Sequence, residues 1–441
     1  MFAFPTRRIS VFTSRANQIA LLLLVALCHT SVGTAQTDPG PRPGSAAGGF
    51  VTGLSTPLIA VFNQGLAAFQ EAEAVPDGLG PRFNSNSCVS CHIQPAPGGS
   101  SPSANPLFQF ANPQNRVPPF IAPNGPVREV RFIANRNGTP DGGVHDLFTI
   151  GGRAGTPAGC NLVQTDFSDV DNLSFRIPTP TFGLGLIEAI PDSTLVQNLA
   201  SNGGAALGIS GRLNRNGNDG TVTRFGWKAQ NKSLLLFSGE AYNVEMGITN
   251  FLFNTERDET PNCSPTPPPN DIFNLGGSVD QAVFDDITNF ANFMRFLAPP
   301  ARGPIGNSVV QGSNQFVNVG CARCHTVTLQ TGASPFPPLA NQQIHPYSDF
   351  ALHNMGPGLA DQISQGLAGG DEFRTAPLWG LGQRLFFLHD GRETDLLQVI
   401  ADHASSANAQ FRASEANTVI QNFNALSRSD KQAILNFLRS L

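Results

Sequence analysis

The chain has 441 residues, with 27 basic against 32 acidic side chains and a formal net charge of −5. The charge is spread without a basic run or stripe, so nucleic acid is not an expected partner. Charged residues make up only 13% of the chain, and 45 glycines with 35 prolines forecast many loops.

The chain opens with Arg7, Arg8 and Arg15, the apolar run IALLLLVAL (19–27), and small residues up to Ala35. This is the layout of a secretory signal peptide over 1–35, and it predicts a periplasmic or secreted protein. The run is short for a membrane span, and no comparable run follows, so no span is expected after signal removal. Leu27 is bulky where lipidation at Cys28 would need a small residue. TDPGPRPGSAAGG (37–49) is expected to be a flexible leader, occupying 36–49.

STPLIAVFNQGLAAFQEAEA (55–74) has helical apolar spacing, with Pro57 suited to a first turn. Positions 95–220 are rich in Gly, Asn and Pro and read as loops with short elements. LLLFSGEAYNVEMGITNFLF (234–253) reads as partly helical, and PNCSPTPPPND (261–271) is a break. VDQAVFDDITNFANFMRFLAPP (279–300) places Val283, Ile287, Phe290, Met294 and Leu297 on one face, which assigns Met294 to the core. Pro299 and Pro300 stop that helix. LLQVIADHA (396–404) is followed by SDKQAILNFLRSL (429–441), where Ser429 and Gln432 suggest a capping box ahead of an apolar stripe of Ile434, Leu435, Leu438 and Leu441. The predicted class is mainly α with extensive irregular loops.

Two segments carry chemistry: SCVSCHIQ (87–94) and GCARCHTV (320–327). Thiols three residues apart on a helical turn can attach to the two vinyl groups of one haem, and the next imidazole then faces the iron. A redox dithiol leaves the histidine unexplained, and a zinc ribbon would need its cysteine pairs close in sequence. The reading is two covalently bound c-type haems, held by Cys88 and Cys91 and by Cys321 and Cys324, with His92 and His325 as proximal ligands. Only Lys228, Lys232 and Lys431 among the basic residues are lysines, and arginine forks suit a cofactor that carries carboxylates. An Arg-favouring genome accounts for the same bias. Cys160 and Cys263 are left over, either as a disulfide or as two free thiols. The remaining histidines and methionines are the candidates for the opposite faces of the irons. Glu245, next to Met246, could move protons if it lies beside a haem.

The chain resembles the di-haem oxidoreductase family, related to bacterial di-haem cytochrome c peroxidases and MauG-type enzymes. The resemblance rests on FNSNSCVSCHIQ (83–94), GLGLIEAIPD (183–192), RFGWKA (224–229), EMGIT (245–249), FMRFLAPP (293–300), GCARCHT (320–326), YSDFALHNMGPGLAD (347–361), EFRTAPLWGLG (372–382), LHDGRETDLLQVIADH (388–403) and the closing helix. It implies two cytochrome c-like domains, here 50–300 with a loop-rich insertion and 301–441. It implies one haem as catalytic site and the other as electron relay. The distal ligand of the second haem falls on His403, where the relatives have methionine or tyrosine. The distal acid of the first falls on Glu245, and the tryptophan between the haems falls on Trp227. His353 belongs to the haem surroundings, and His145 would close the first iron if it bound there. The implied partners are an electron-donor cytochrome or small redox protein, and hydrogen peroxide or another oxidisable substrate. A plain di-haem electron carrier is the alternative. Oxidation of a protein side chain, as in MauG-type enzymes, is a third reading.

Overall fold

Helices are the longest regular elements, and each begins or ends on a readable signal. The computed structural model describes residue 1 and residues 36–44, 47–272 and 284–441, so the signal segment to Ala35, Cys28 and Val283 lie outside the described residues. Helix α1 (Thr56–Gln70) carries a proline in its first turn and stops before Glu71, which is extended. A single turn, α2 (Cys88–Cys91), holds the first cysteine pair. Helices α3 (Leu184–Glu188) and α4 (Asp192–Ser201) follow the loop-rich region, then α5 (Leu234–Met246). The Ser233 hydroxyl caps α5 by accepting from the Leu236 N–H. Gly247 ends it at φ 72°, where a Cβ would lie 2.3 Å from the Arg82 carbonyl oxygen.

Helix α6 (Asp286–Phe296) is capped by Asp285, so it is shorter than the periodic stretch suggested. Ile287, Phe290, Met294 and Leu297 are buried as expected, with Met294 in the core. Helix α7 (Asn307–Val319) leads into the second cysteine segment, where Cys321–Arg323 form a 3₁₀ turn. Helices α8 (Leu396–Asp402), α9 (Asn417–Ala425) and α10 (Arg428–Ser440) complete the chain. The predicted cap at Ser429 needs correction. Ser427 is the N-cap of α10 and accepts from the Asp430 N–H, while the Gln432 amide donates to the Thr37 carbonyl and to Asn436. The stripe Ile434, Leu435, Leu438 and Leu441 is buried.

The described strands are short and antiparallel. Strand β1 (Arg82–Phe83) pairs with β4 (Phe148–Thr149), and β2 (Glu129–Phe132) lies between β3 (Val144–His145) and β5 (Leu173–Arg176). Strands β6 (Leu329–Gln330) and β7 (Gln343–Ile344), and β8 (Leu352–Asn354) and β9 (Glu372–Arg374), form two further pairs.

Two helix pairs organise the interior, each just upstream of or across from a cysteine segment. Helix α1 packs on α6 through Gly65, where a Cβ would stand 2.4 Å from the Asn289 carbonyl oxygen and 3.0 Å from Phe293 Cβ. Helix α7 packs on α10 through Gly312, where a Cβ would stand 1.9 Å from the Ala433 carbonyl oxygen and 2.8 Å from Phe437 Cβ. Each pair seeds its own apolar core. One contains Phe62, Phe69, Phe290 and Phe293, and the other contains Val309, Phe316, Phe423 and Phe437.

Two long-range ties hold the irregular parts. Cys160 and Cys263 form a disulfide, which decides between the two readings of that pair. The Pro/Gly-rich leader is anchored over its first residues rather than free. Asp38 accepts from both Arg439 Nε (2.7 Å) and Nη2 (2.6 Å), and from the Leu396 N–H at the start of α8. The reason is electrostatic, since Arg439 is buried and its charge needs a counter-ion.

Candidate functional site

The first cysteine segment is held from both sides. Residues 80–87 run along the end of α5, where the Glu245 carbonyl accepts from the Asn84 N–H (2.7 Å) and the Met246 carbonyl from the Gly80 N–H (3.0 Å). The chain then enters α2 at Cys88, and the His92 N–H donates to the Cys88 carbonyl. His92 Nδ1 lies 3.1 Å from the Gly99 carbonyl oxygen. A carbonyl can only accept, so Nδ1 carries the proton and Nε2 keeps its lone pair for a metal. Burial lowers the pKa of His92 to about 4, which keeps the ring neutral.

The second segment repeats this arrangement. The His325 N–H donates to the Cys321 carbonyl, and His325 Nδ1 donates to the Tyr347 carbonyl at 2.9 Å. His403, at the end of α8, donates through Nδ1 to the Val399 carbonyl at 2.7 Å. Three neutral imidazoles are thus pinned at Nδ1, each leaving Nε2 available. The four motif thiols are unpaired. Burial pushes Cys91 and Cys321 up to about 12. A redox dithiol needs a lowered pKa, so these cysteines are poor thiolate nucleophiles.

Each segment opens on a cavity. The first, about 100 Å³, is lined by Cys91, His92, Trp227, Glu245, Leu107 and the arginines 128, 131 and 176. The second, about 210 Å³, is more apolar and is lined by Cys321, Cys324, His325 and His403 among leucines, phenylalanines and isoleucines. Burial lowers the pKa of His325 to about 4, and the nearby His403 adds to the fall. A neutral, pinned histidine beside a two-thiol turn and opening on a cavity is a donor set that fits a haem in both places, in apolar surroundings at the second and charged ones at the first.

Trp227 lines both cavities. Its indole N–H donates to the Ile177 carbonyl at 2.9 Å, and its own carbonyl accepts from the Arg374 N–H. The residues flanking these contacts share one counter-ion. Asp361 pairs with Arg176 Nη2 at 2.7 Å and with Lys228 Nζ at 2.9 Å, all three buried. Lys228 also donates to the Gly369 and Glu372 carbonyls and sits over the Phe373 ring.

Glu245 faces the first cavity. Burial raises its carboxyl to about 8, and the carboxylates of Glu129, Glu240 and Asp146 add to the rise against Arg131. His145 is placed elsewhere. Its Nε2 contacts Asp141 at 3.1 Å, its ring lies 4.2 Å from that of Phe132, and it does not line the first cavity.

His353, expected in the haem surroundings, lines the second cavity, but its contacts and the two arginines there were not legible beforehand. His353 contacts Asp349 through Nε2 and Glu415 through Nδ1, both at 3.0 Å. Burial opposes a charged ring there, but the Cys324 sulfur and Asp349 outweigh it and hold the pKa well above the usual value. Met355, Arg374 and Arg384 also line this cavity. Their neighbours come from distant segments, so sequence spacing carries no signal for them.

These features set two cavities beside the two cysteine–histidine turns, one faced by a carboxyl group and one by a second histidine, with an indole lining both. The family model described as "Di-haem oxidoreductase, putative peroxidase" matches residues 153–441, and the chain belongs to that family. The match takes in Trp227, Glu245, His403 and the second cysteine segment, while the first segment lies upstream of it.

Two solved structures were compared. A MauG-like protein associated with microbial copper homeostasis is 15% identical, over 52% of this chain and 77% of that chain, with a TM-score of 0.29. Hydrazine synthase of Kuenenia stuttgartiensis, pressurised with xenon, is 12% identical, over 99% of this chain and all of the other, with a TM-score of 0.33. Both scores are too low to carry an argument about this chain. None of the curated proteins matches it.

Proposed function

We propose that this chain is an exported di-haem c-type oxidoreductase of the peroxidase type, with the site at His92 catalytic and the site at His325 a relay. Residues 50–300 and 301–441 are read as two cytochrome c-like haem domains, each built on one of the two glycine-packed helix pairs. The observation that carries the reading is the asymmetry of the two cavities around a shared Trp227. The first cavity presents Glu245 and no second histidine among its lining residues. The second presents His403 facing the same space as His325.

Bound haem would supply the one-electron chemistry and an iron position for peroxide. The chain's own residues supply the rest. His92, fixed by Gly99, orients from one side. Glu245 holds a proton at neutral pH and can give it to one peroxide oxygen and take it from the other, which is general acid–base work. Trp227 offers a π-system that touches both cavities. His403, pinned by Val399, would complete the second site and leave it closed to peroxide. Met355, His353 and His389 line that cavity too, but His353 is held between Asp349 and Glu415, His389 stacks on Phe373, and a thioether has no equivalent pin. The electron donor is read as an external cytochrome or small redox protein. The segment over 1–35 is the ground for export, and no described helix is long and apolar enough to cross a membrane.

Low-temperature EPR of the ferric protein, matured with its haem, tests the reading. One high-spin and one low-spin signal are expected. Two low-spin signals alone would overturn the catalytic assignment and favour a di-haem electron carrier. No haem signal would overturn both.

A further inference from the structure

The second cavity buries positive charge that no carboxylate hydrogen-bonds among the described residues. Arg384, 8% exposed, lines it from the end of the 3₁₀ turn Leu381–Gln383. Its Nε and Nη2 are buried and have no hydrogen-bond partner among the described residues. Arg374 lines the same cavity and is also buried. It donates through Nε to the Gly226 carbonyl at 2.8 Å and through Nη1 to the Thr375 carbonyl, but to no carboxylate.

The acids nearby are already committed. Glu415 is the one carboxylate among the residues lining this cavity. It accepts from His353 Nδ1, the Ser210 hydroxyl and the Ser210 and Gly211 N–H groups. Burial lowers both guanidinium groups to about 10, with no anion beside either to oppose the shift.

The first cavity is built differently, because two of its three arginines have carboxylate partners and none of the three has an orphaned buried nitrogen. Arg131 pairs with Glu129, Arg176 with Asp361, and Arg128 donates to the Asp390 carbonyl. A buried, unpaired guanidinium is strongly unfavourable, and its planar fork matches a carboxylate. A site that tolerates two such groups on one apolar cavity is built to receive an anion within it.

We propose that Arg384, assisted by Arg374, is a carboxylate clamp that receives the acid side chains of the haem at Cys321–His325. This rests on the reading of a haem at that site and assigns its orientation. The carboxylates would lie toward Arg384, and the first haem would have no equivalent unpaired fork. The clamp also gives the relay haem buried positive charge, which holds its carboxylates ionised in both oxidation states and favours the reduced iron.

The test compares full-length wild-type protein, matured with its haem, with R384M and R384K. The midpoint potential of the low-spin haem is followed against pH, together with the propionate bending bands in its resonance Raman spectrum. The expected wild-type potential is nearly flat with pH. In R384M it falls and becomes pH-dependent, and the propionate bands shift. R384K, which keeps the charge but not the fork, falls less and still shifts the bands. A flat, unchanged potential with unchanged bands in R384M overturns the proposal. If R384M fails to mature, unchanged bands and potential in R384K overturn it. Loss of the second haem from the wild-type protein would instead overturn the underlying reading.

Discussion

Glu245 is a carboxylic acid at neutral pH, and two consequences follow from one number. Its pKa stands at about 8, against 4.5 for an unperturbed glutamate. As a catalyst it therefore offers a proton below about pH 8 and is a base above it. We expect E245Q to lower peroxide turnover about 10²–10⁴-fold, the usual worth of general acid–base catalysis, without changing the EPR signals of either haem. A turnover equal to wild type would remove Glu245 from the mechanism. The stability effect has a defined sign. A carboxyl whose folded pKa is raised binds its proton more tightly in the fold, so its contribution is complete below 4.5 and is lost as pH rises through about 8. E245Q should flatten the pH dependence of the denaturation midpoint across that window, measured at constant ionic strength. None of this environment is visible in EMGIT (245–249), because Glu129, Glu240, Asp146 and Arg131 reach Glu245 from separate segments.

Helix identity and helix ends were read well from the chain where local rules decide them. The proline at the start of α1 and the apolar stripe of α10 act within a turn or two; the stop of α5 at Gly247 went unread, although it too is local. The cap of α10 was misplaced by two residues because Ser427 and Ser429 are both competent hydroxyls, and only the helix start selects between them. The leader over 36–49 makes a contact that its composition does not announce. Its composition is that of a linker, but Asp38 finds the buried Arg439, about 400 positions away in the chain. Helix packing shows the same limit. Gly312 looks like any helix-weakening glycine, yet α10 crosses α7 at that point. G312A should destabilise by about 1–3 kcal/mol or more through overpacking, read from urea denaturation, because its new Cβ would meet the Ala433 backbone. G306A at the N-cap of the same helix, where the added Cβ meets nothing within 4 Å, is the control for crowding and should cost less, about 0.5–1 kcal/mol, because alanine caps less well than glycine.

Across the whole molecule, the two sites are joined through the Arg176–Asp361–Lys228 cluster and the tryptophan it flanks. Asp361 holds Arg176, next to the Ile177 carbonyl that accepts the indole N–H, and it holds Lys228, next to Trp227 itself. We expect W227F to slow electron exchange between the haems, measured by flash reduction, while leaving both EPR signals in place. Unchanged exchange would show that the indole is not the route. D361N leaves two cations buried against one neutral amide and should cost about 3–5 kcal/mol of stability, the usual cost of breaking a buried pair, with W227F much milder by the same assay.

The sequence by itself determined the two cysteine–histidine segments, the helices over 55–74, 279–300 and 429–441 in outline, and the family, but not the helix Asn307–Val319 that leads into the second segment. These depend on spacing within five to fifteen residues, where chain geometry dictates what can meet. The tertiary structure alone decided the surroundings of each cavity: the carboxylates gathered about Glu245, the Asp349–His353–Glu415 contacts and the unpaired Arg384 on the second, and His145 on neither. It also paired Cys160 with Cys263. Such contacts join segments tens to hundreds of residues apart, and loop-closure entropy rises so slowly with length that the chain carries no local mark of which partner will be chosen.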